Sequence, residues 1–408
     1  MKLISLCIIT LIFFYELVID MIDYRSIHNP LHEKVQDIYD KDKYQNWKNY
    51  KRSKVFASII FSVVQFLVII LLLVFDVFAT IGNLVGDSPY ITTIATIGLY
   101  IFVDFVITTI QSYVDTMVIE EKYGFNNTKM GLFVKDRVKS LAITCVLLIG
   151  LLSLFVLLYE SIGNYVLIIF VLIMLLFVFV IMMISPYLMK ISYKIEPLED
   201  GELKDKLVNL LNKYGFKVRK IEVLLASERT TKSNASFSGF GKTKTITLYD
   251  NLINTMTPDE IVAVFAHELG HGLHKDTAKL SVMSIINILL IVLSMTWLVN
   301  YEEIHFAFGF DHMNYGFAFV LLTFLFMPFI SIITGLITNV ISRKAEYEAD
   351  NHAVKEGYGL ELIQALKTLS REDFVDLSPS KLIVLLTYSH PPMIDRILNI
   401  EKKMGELE

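Results

Sequence analysis

The octapeptide FAHELGHG, residues 265–272, carries the types and spacing needed for metal-assisted hydrolysis. It matches H-E-x-x-H, a pattern that on a helix stacks His267 and His271 on one face, where both imidazoles reach one zinc ion. Glu268, beside them, is then placed to act as general base. A chain of this length with nine histidines produces that pattern by chance about once in a hundred cases, so the rest of the sequence has to decide. His274 lies on the same stripe, but about 10 Å of helical rise separates it from His267. It reads as cavity-lining or structural.

A catalytic zinc needs three protein ligands and an open position for water. Thr277 stands where an extended metzincin motif would have its third histidine, and Cys7 and Cys145, the chain's two cysteines, both fall inside apolar runs. A carboxylate further along the chain is the other solution. SRKAEYEAD, residues 342–350, offers Glu346 and Asp350 four apart on one helical face. Like charges at that spacing repel, and a nearby cation would explain them. Glu346 could bind zinc while Asp350 accepts the free N–H of a ligating histidine and sets its tautomer. The alternative is an Arg343–Glu346 ion pair at the surface. Glu348 points away from that face.

The elements that must position these residues are mostly membrane helices. The chain is 54% hydrophobic and only 19% charged, and seven apolar runs approach or reach spanning length: 3–19, 56–75, 90–110, 141–158, 165–184, 280–298 and 317–340. Run 3–19 follows Lys2 but has no small-residue cleavage site and contains Glu16, so it reads as a retained anchor. Lys and Arg crowd 21–55 and 119–139, remain frequent in 190–279 and after Arg343, and are missing from 76–89, 159–164 and 299–316. The positive-inside rule then puts the N-terminus outside and the zinc motif in the cytoplasm. With a net charge of −5 and no basic-aromatic array, nothing points to nucleic acid.

Four regions follow: 1–189 with five spans, a cytoplasmic insertion at 190–279 carrying HELGH, two more spans in 280–341, and C-terminal cytoplasmic helices in 342–408. Within the insertion, Leu203, Leu207, Leu210 and Leu211 recur at helical spacing and Gly215 stands where that helix would stop. KIEVLLA reads as a strand, and NASFSGFGKTKTITLYD as two strands joined at Gly241-Lys242. Thr257, Pro258 and Glu260 mark the start of the zinc helix with a capping box. The fold class is thus a mainly α membrane protein with about seven transmembrane helices and a small α+β metalloprotease domain.

With these pieces in view the chain resembles the type I CAAX prenyl endopeptidases, integral-membrane zinc metalloproteases, and more distantly the HtpX-like membrane proteases. The resemblance rests on VIEEKYGFN at 118–126, SNASFSGFGKTKTITLYDNLI at 233–253, HELGH at 267–271, SRKAEYEAD at 342–350 and YSHPPMIDRI at 388–397, in this order. It implies one zinc per chain held by His267, His271 and Glu346, with Glu268 as base. It also implies a hydrated chamber enclosed by the spans, where polar groups at membrane depth are tolerated. SNAS resembles the family's substrate-binding edge strand, so Asn234 and Ala235 would pair with an extended peptide; otherwise Asn234 is a turn residue. In SHPPMIDR, His390 or Arg396 could stabilise an oxyanion; otherwise His390 is a loop residue and Arg396 pairs with a carboxylate.

The expected partners are the lipid bilayer and a peptide or protein substrate, prenylated if the host prenylates proteins. The expected location is a prokaryotic cell membrane or the endoplasmic reticulum. Two other functions compete: an HtpX-like quality-control protease, and a transporter or scaffold with a vestigial zinc motif, against which the intact Glu268 argues. Glu16 and Asp104 fall within spans, where carboxylates line chambers or pair helices as readily as they catalyse. EEKYGF has no chemistry of its own beyond a loop packed near the site.

Overall fold

The computed structural model describes residues 1–238 and 243–407. α1 (Lys2–Ser26) and α2 (Lys41–Val74) run antiparallel. Lys2 ties their far ends together through Val74 O at 2.9 Å and Asp76 Oδ1 at 2.7 Å, and Lys51 ties the near ends through Asp23 and Ser26, each at 2.9 Å. The short α3 (Val77–Leu84) leads to α4 (Pro89–Tyr113), which continues into a π-helical turn, Val114–Glu120. α5 (Met130–Ile162) and α6 (Val166–Ser192) are separated by one turn at Gly163–Tyr165.

Among the described residues six continuous apolar stretches could cross a membrane, the longest being Met130–Ile184 at 55 residues. Straight, that stretch would rise about 80 Å, far more than a hydrocarbon core of about 30 Å. It reverses at Gly163, whose φ of +55° suits a residue without Cβ, and Phe155 meets Phe170 edge-on at 5.1 Å across the hairpin. Counted as separate helices, seven among the described residues are long and apolar enough to cross. In their most apolar windows 6% to 39% of residues are buried, and Ile9, Leu73, Ile97, Phe155, Val292 and Phe317 from different spans share one core.

Below α6 the chain forms β1 (Ile195–Pro197), α7 (Glu202–Lys213), β2 (Lys217–Leu224), β3 (Ala235–Ser238), β4 (Thr243–Tyr249), α8 (Asp250–Thr255) and α9 (Pro258–Leu273). The sheet order is β1-β2-β4-β3, parallel between β2 and β4 and antiparallel at both edges. Both expected strands of 233–250 are present, while their joint at Gly241-Lys242 lies outside the described residues. α7 buries Leu207, Leu210 and Leu211 and ends before Gly215, φ +69°, as its leucine spacing requires. β1 was not anticipated. Three residues carry no periodicity, and the strand exists only through its pairing with β2.

α10 (Asp276–Asn300), α11 (Glu302–Ala307) and α12 (Tyr315–Leu321) return the chain across the membrane region. A π-helical turn, Leu322–Phe326, joins α12 to α13 (Met327–Lys355), followed by α14 (Gly359–Glu372), α15 (Lys381–Thr387) and α16 (Met393–Gly405). The stretch Tyr315–Lys355 is 41 residues, about 60 Å of helix, so its C-terminal turns project beyond any bilayer core. Those turns carry Glu346 and Asp350.

One hydrophobic core unites this end of the molecule. It contains Leu207 and Leu211 of α7, Ile246 and Leu248 of β4, Phe265 and Leu269 of α9, Leu362 of α14 and Ile397 of α16. Ile27, Val35, Ile38 and Tyr39, from the segment between α1 and α2, and Trp47, from the start of α2, belong to it too. The Tyr39 hydroxyl lies 2.7 Å from Ser370 O and 2.9 Å from Val375 O. The basic stretch after α1 is therefore part of the metalloprotease core rather than a solvated loop.

Candidate metal centre and active site

α9 starts where its capping residues dictate. Thr257 Oγ1 accepts from Glu260 N, and Glu260 Oε2 accepts from Thr257 N at 2.7 Å. From that start, His267 falls on the buried face and His271 one turn further, with the rings at right angles and 4.7 Å apart. Their Nε2 atoms approach to 3.2 Å. α13 crosses beside them at a contact that Gly270 makes possible. A Cβ there would stand 2.9 Å from Ala349 Cα and 3.0 Å from His352 Cβ.

This crossing brings Glu346 to the histidines. Its Oε2 is 3.5 Å from His267 Nε2 and its Oε1 is 3.3 Å from His271 Nε2. One atom from each of the three residues lies within 4.8 Å of the other two, a set that could hold one metal ion. The second nitrogen of each ring is already engaged: His267 Nδ1 with Asp350 Oδ1 at 2.9 Å, and His271 Nδ1 with Asp276 Oδ2 at 3.0 Å. Carboxylates accept, so both Nδ1 atoms donate, and both Nε2 lone pairs face inward. Two inward nitrogens and a buried Glu346 Oε2 that accepts no hydrogen bond make a pocket that could take a cation. With no ion between them, burial opposes protonation of His271, yet hydrogen bonds to Glu346 and Asp276 and the charges of Glu346 and Glu268 outweigh it and raise its pKa to about 9, so a proton takes the Nε2 position that a metal ion would claim. The donor set, two imidazoles and a carboxylate, suits zinc.

Asp276 was missed from sequence. It follows His271 by five residues, across a turn in which Lys275 takes φ +55°. A carboxylate just past the end of a zinc helix was the available signal. Asp350 is fully buried, and Arg396 from α16 grips it through Nε at 2.9 Å and Nη2 at 2.6 Å. Arg396 Nη1 lies 3.4 Å from Glu346 Oε2. Arg396 is thus the cation between the two carboxylates of α13, and it pairs with protein groups on each nitrogen. The surface pair Arg343–Glu346 does not form. Arg343 Nη1 instead donates to Val384 O at 2.9 Å and Tyr388 O at 2.6 Å, fixing the loop before α16. Glu348 faces away, 3.5 Å from Lys279.

That loop presents His390. Its Nε2 is 3.2 Å from Glu346 Oε1, and 66% of its side chain is exposed, so it stands at the mouth of the pocket. Glu268 is half-buried, makes no hydrogen bond or ion pair among the described residues, and acts electrostatically on both His271 and Arg396. His274 lies outside the cluster, its ring 6.4 Å from that of His352. β3 is the outer strand beside β4 and packs against α9. Asn234, at its start, is exposed; its carbonyl accepts from Tyr249 N at 3.0 Å, and Ala235 pairs with Leu248. Glu16 lines a cavity of about 580 Å³ with Asp20, Ser58 and Ser331, away from the metal pocket.

A histidine pair on a capped helix, closed by a glutamate from the end of a membrane helix, defines an integral-membrane metallopeptidase. Comparison with known proteins agrees. Residues 22–190 match the CAAX prenyl protease N-terminal region with five membrane helices, and residues 197–404 match peptidase family M48. The CAAX prenyl protease 1 homolog of Taenia solium is 33% identical over 325 residues, covering 72% of this chain and 69% of that protein. CAAX prenyl protease 1 of Saccharomyces cerevisiae is 28% identical over 400 residues, covering 90% and 87%. The crystal structure of S. mikatae Ste24p superposes with a TM-score of 0.91 at 26% identity, covering 98% of this chain and 99% of that one. The chain belongs to peptidase family M48 and is a multi-pass integral-membrane zinc metalloendopeptidase.

Proposed function

We propose that the protein cleaves C-terminal peptides whose prenyl group remains in the membrane, using one zinc per chain held by His267, His271 and Glu346. The observation that carries the metal assignment is the pair of Nδ1–carboxylate contacts, which turn both Nε2 atoms toward Glu346. When bound, zinc supplies Lewis acidity toward water and the scissile carbonyl. Glu268 takes a proton from the attacking water and returns it to the leaving amine as the C–N bond breaks. His390 donates to the carbonyl oxygen as negative charge develops there. Arg396 acts at one remove, as a positioning residue, by holding Asp350 against His267 and screening Glu346.

His390 and Arg396 should therefore fail differently. His390→Ala is expected to lower kcat about a hundredfold with zinc content unchanged. Arg396→Ala should weaken zinc retention about tenfold or more, because it releases the carboxylate that orients His267. Equal zinc loss in both variants, measured by metal analysis after dialysis, would contradict this division.

The substrate reading is supported by three features together. The edge of β3 lies beside α9, so a peptide added there at Asn234 and Ala235 would run along the metal pocket. The pocket sits at the end of a membrane-length helix, and the relatives are named for CAAX prenyl proteolysis. The distribution of basic segments supports a cytoplasmic position for this end, with the N-terminus outside. Each buried CH₂ contributes roughly 0.8 kcal/mol, so a prenyl tail could retain a peptide too short to bind by itself. A farnesylated CAAX peptide should be cut after the modified cysteine, at least about tenfold more efficiently than the same peptide without lipid. Equal cleavage of the two in detergent and in bilayers would favour quality-control proteolysis instead.

A further inference from the structure

The loop EEKYGFN, 120–126, has no titratable group in the metal pocket, yet it is built around the segment that delivers β3. Gly124 takes φ +79°, and the turn closes through Phe125 N to Glu120 O at 2.8 Å and Gly124 N to Glu121 O at 3.1 Å. Asn126 is buried and locks the turn from within: its amide donates to Glu121 Oε2 at 3.0 Å and its Oδ1 accepts from Thr128 N at 2.8 Å. Phe125 is wedged between Tyr50, at 5.2 Å, and Phe374, at 5.0 Å. Nothing in that packing needs the loop to touch the peptidase sheet.

It nevertheless meets the segment that leads into β3, through the four consecutive residues 125–128 and through Glu120. Asn126 forms an antiparallel bridge with Thr230. Asn127 N donates to Arg229 O at 3.0 Å, and Asn127 Nδ2 to Ser227 O at 2.8 Å. Thr128 Oγ1 donates to Arg229 O at 3.2 Å, and Thr231 N to Phe125 O at 3.4 Å. Lys232 reaches back to Glu120 at 3.4 Å and lies over the Phe125 ring at 5.2 Å. From the other side, Asn251 Nδ2 donates to Thr230 O at 2.8 Å and Lys232 O at 3.0 Å. Residues 227–232 are thus clamped on both sides immediately before Asn234. The loop itself continues the π-helical end of α4, so the clamp links a membrane helix to the outer strand.

We propose that loop 120–128 is a positioning device for the peptide-binding edge, holding β3 at the height and register where an added peptide passes the metal pocket. This rests on the reading of β3 as the substrate strand. Asn127 is the residue to test, because it is exposed and its side chain contributes one bond to Ser227 O without filling a core. A clamp that acts through strand addition should appear in KM and should depend on the backbone N–H groups of the peptide.

The experiment compares wild type, Asn127→Ala and Asn127→Gln, full length in bilayer nanodiscs, on a farnesylated CAAX peptide and on its analogue N-methylated at the residues that would pair with β3. In wild type, methylation should raise KM about tenfold. Asn127→Ala should raise KM for the unmethylated peptide about three- to tenfold, with kcat within about twofold and zinc content unchanged, and should shrink the methylation effect. Asn127→Gln, which keeps an amide donor, should recover part of the loss. A wild-type enzyme indifferent to methylation would overturn the edge-strand reading and the clamp with it. A full methylation effect of the same size in all three proteins, or an Asn127→Ala loss confined to kcat or zinc, would overturn the clamp and leave the edge strand standing.

Discussion

Glu268→Gln should retain zinc and lose about a thousandfold in kcat. The substitution keeps size and hydrogen-bonding capacity but removes the carboxylate that accepts the water proton, a function worth typically 10²- to 10⁴-fold. At 1.36 kcal/mol per tenfold, the expected loss is about 4 kcal/mol of barrier. Zinc should remain because Glu268 is not among the three converging residues that could hold it and the carboxylates on both Nδ1 atoms are untouched. Single-turnover assays with metal analysis on the same preparation separate the two quantities. Cleavage at near wild-type rate would show that another group accepts the proton.

Glu346→Ala should lose both zinc and activity. Outer-shell partners of a metal site commonly cost ten- to a hundredfold in affinity when removed. Loss of the ligand itself should exceed about a hundredfold, and it would also leave Arg396 without one of its two carboxylates. The nearest rescue is His390, whose Nε2 lies 3.2 Å from Glu346 Oε1 and could swing into the vacated position. Competition titration with a zinc chelator measures the affinity directly. Wild-type affinity in Glu346→Ala would mean that His390, or a group outside α13, completes the site.

Much of this site was legible in the sequence because its signals are local. The capping box at Thr257 and the four-residue spacing of His267 and His271 are properties of one helix, and the same spacing put Glu346 and Asp350 on one face of another. The seven crossings follow from apolar run length and loop charge, which also depend only on neighbours along the chain. What stayed hidden is tertiary. Asp276 joins His271 only because Lys275 adopts a left-handed turn. Arg396 could be read either as an oxyanion group or as a carboxylate partner until α16 was seen to lie against α13, with Asp350 between them. Trp47 and Tyr39 looked like part of a basic loop, since a stretch rich in lysine hides a few aromatic residues that pack against helices 200 residues and more away. The EEKYGFN loop was opaque for the same reason: its partners are backbone groups at 227–231, and backbone carries no sequence signature.

The central claim, that two imidazoles and Glu346 hold one zinc with a position left for water, is tested most directly by zinc X-ray absorption on the purified wild-type protein. The account predicts one zinc per chain, with scattering from two imidazole rings at about 2.0–2.1 Å and oxygen ligands at about 2.0–2.2 Å. A third imidazole in the coordination sphere, or less than half a zinc per chain in fully active enzyme, would contradict it.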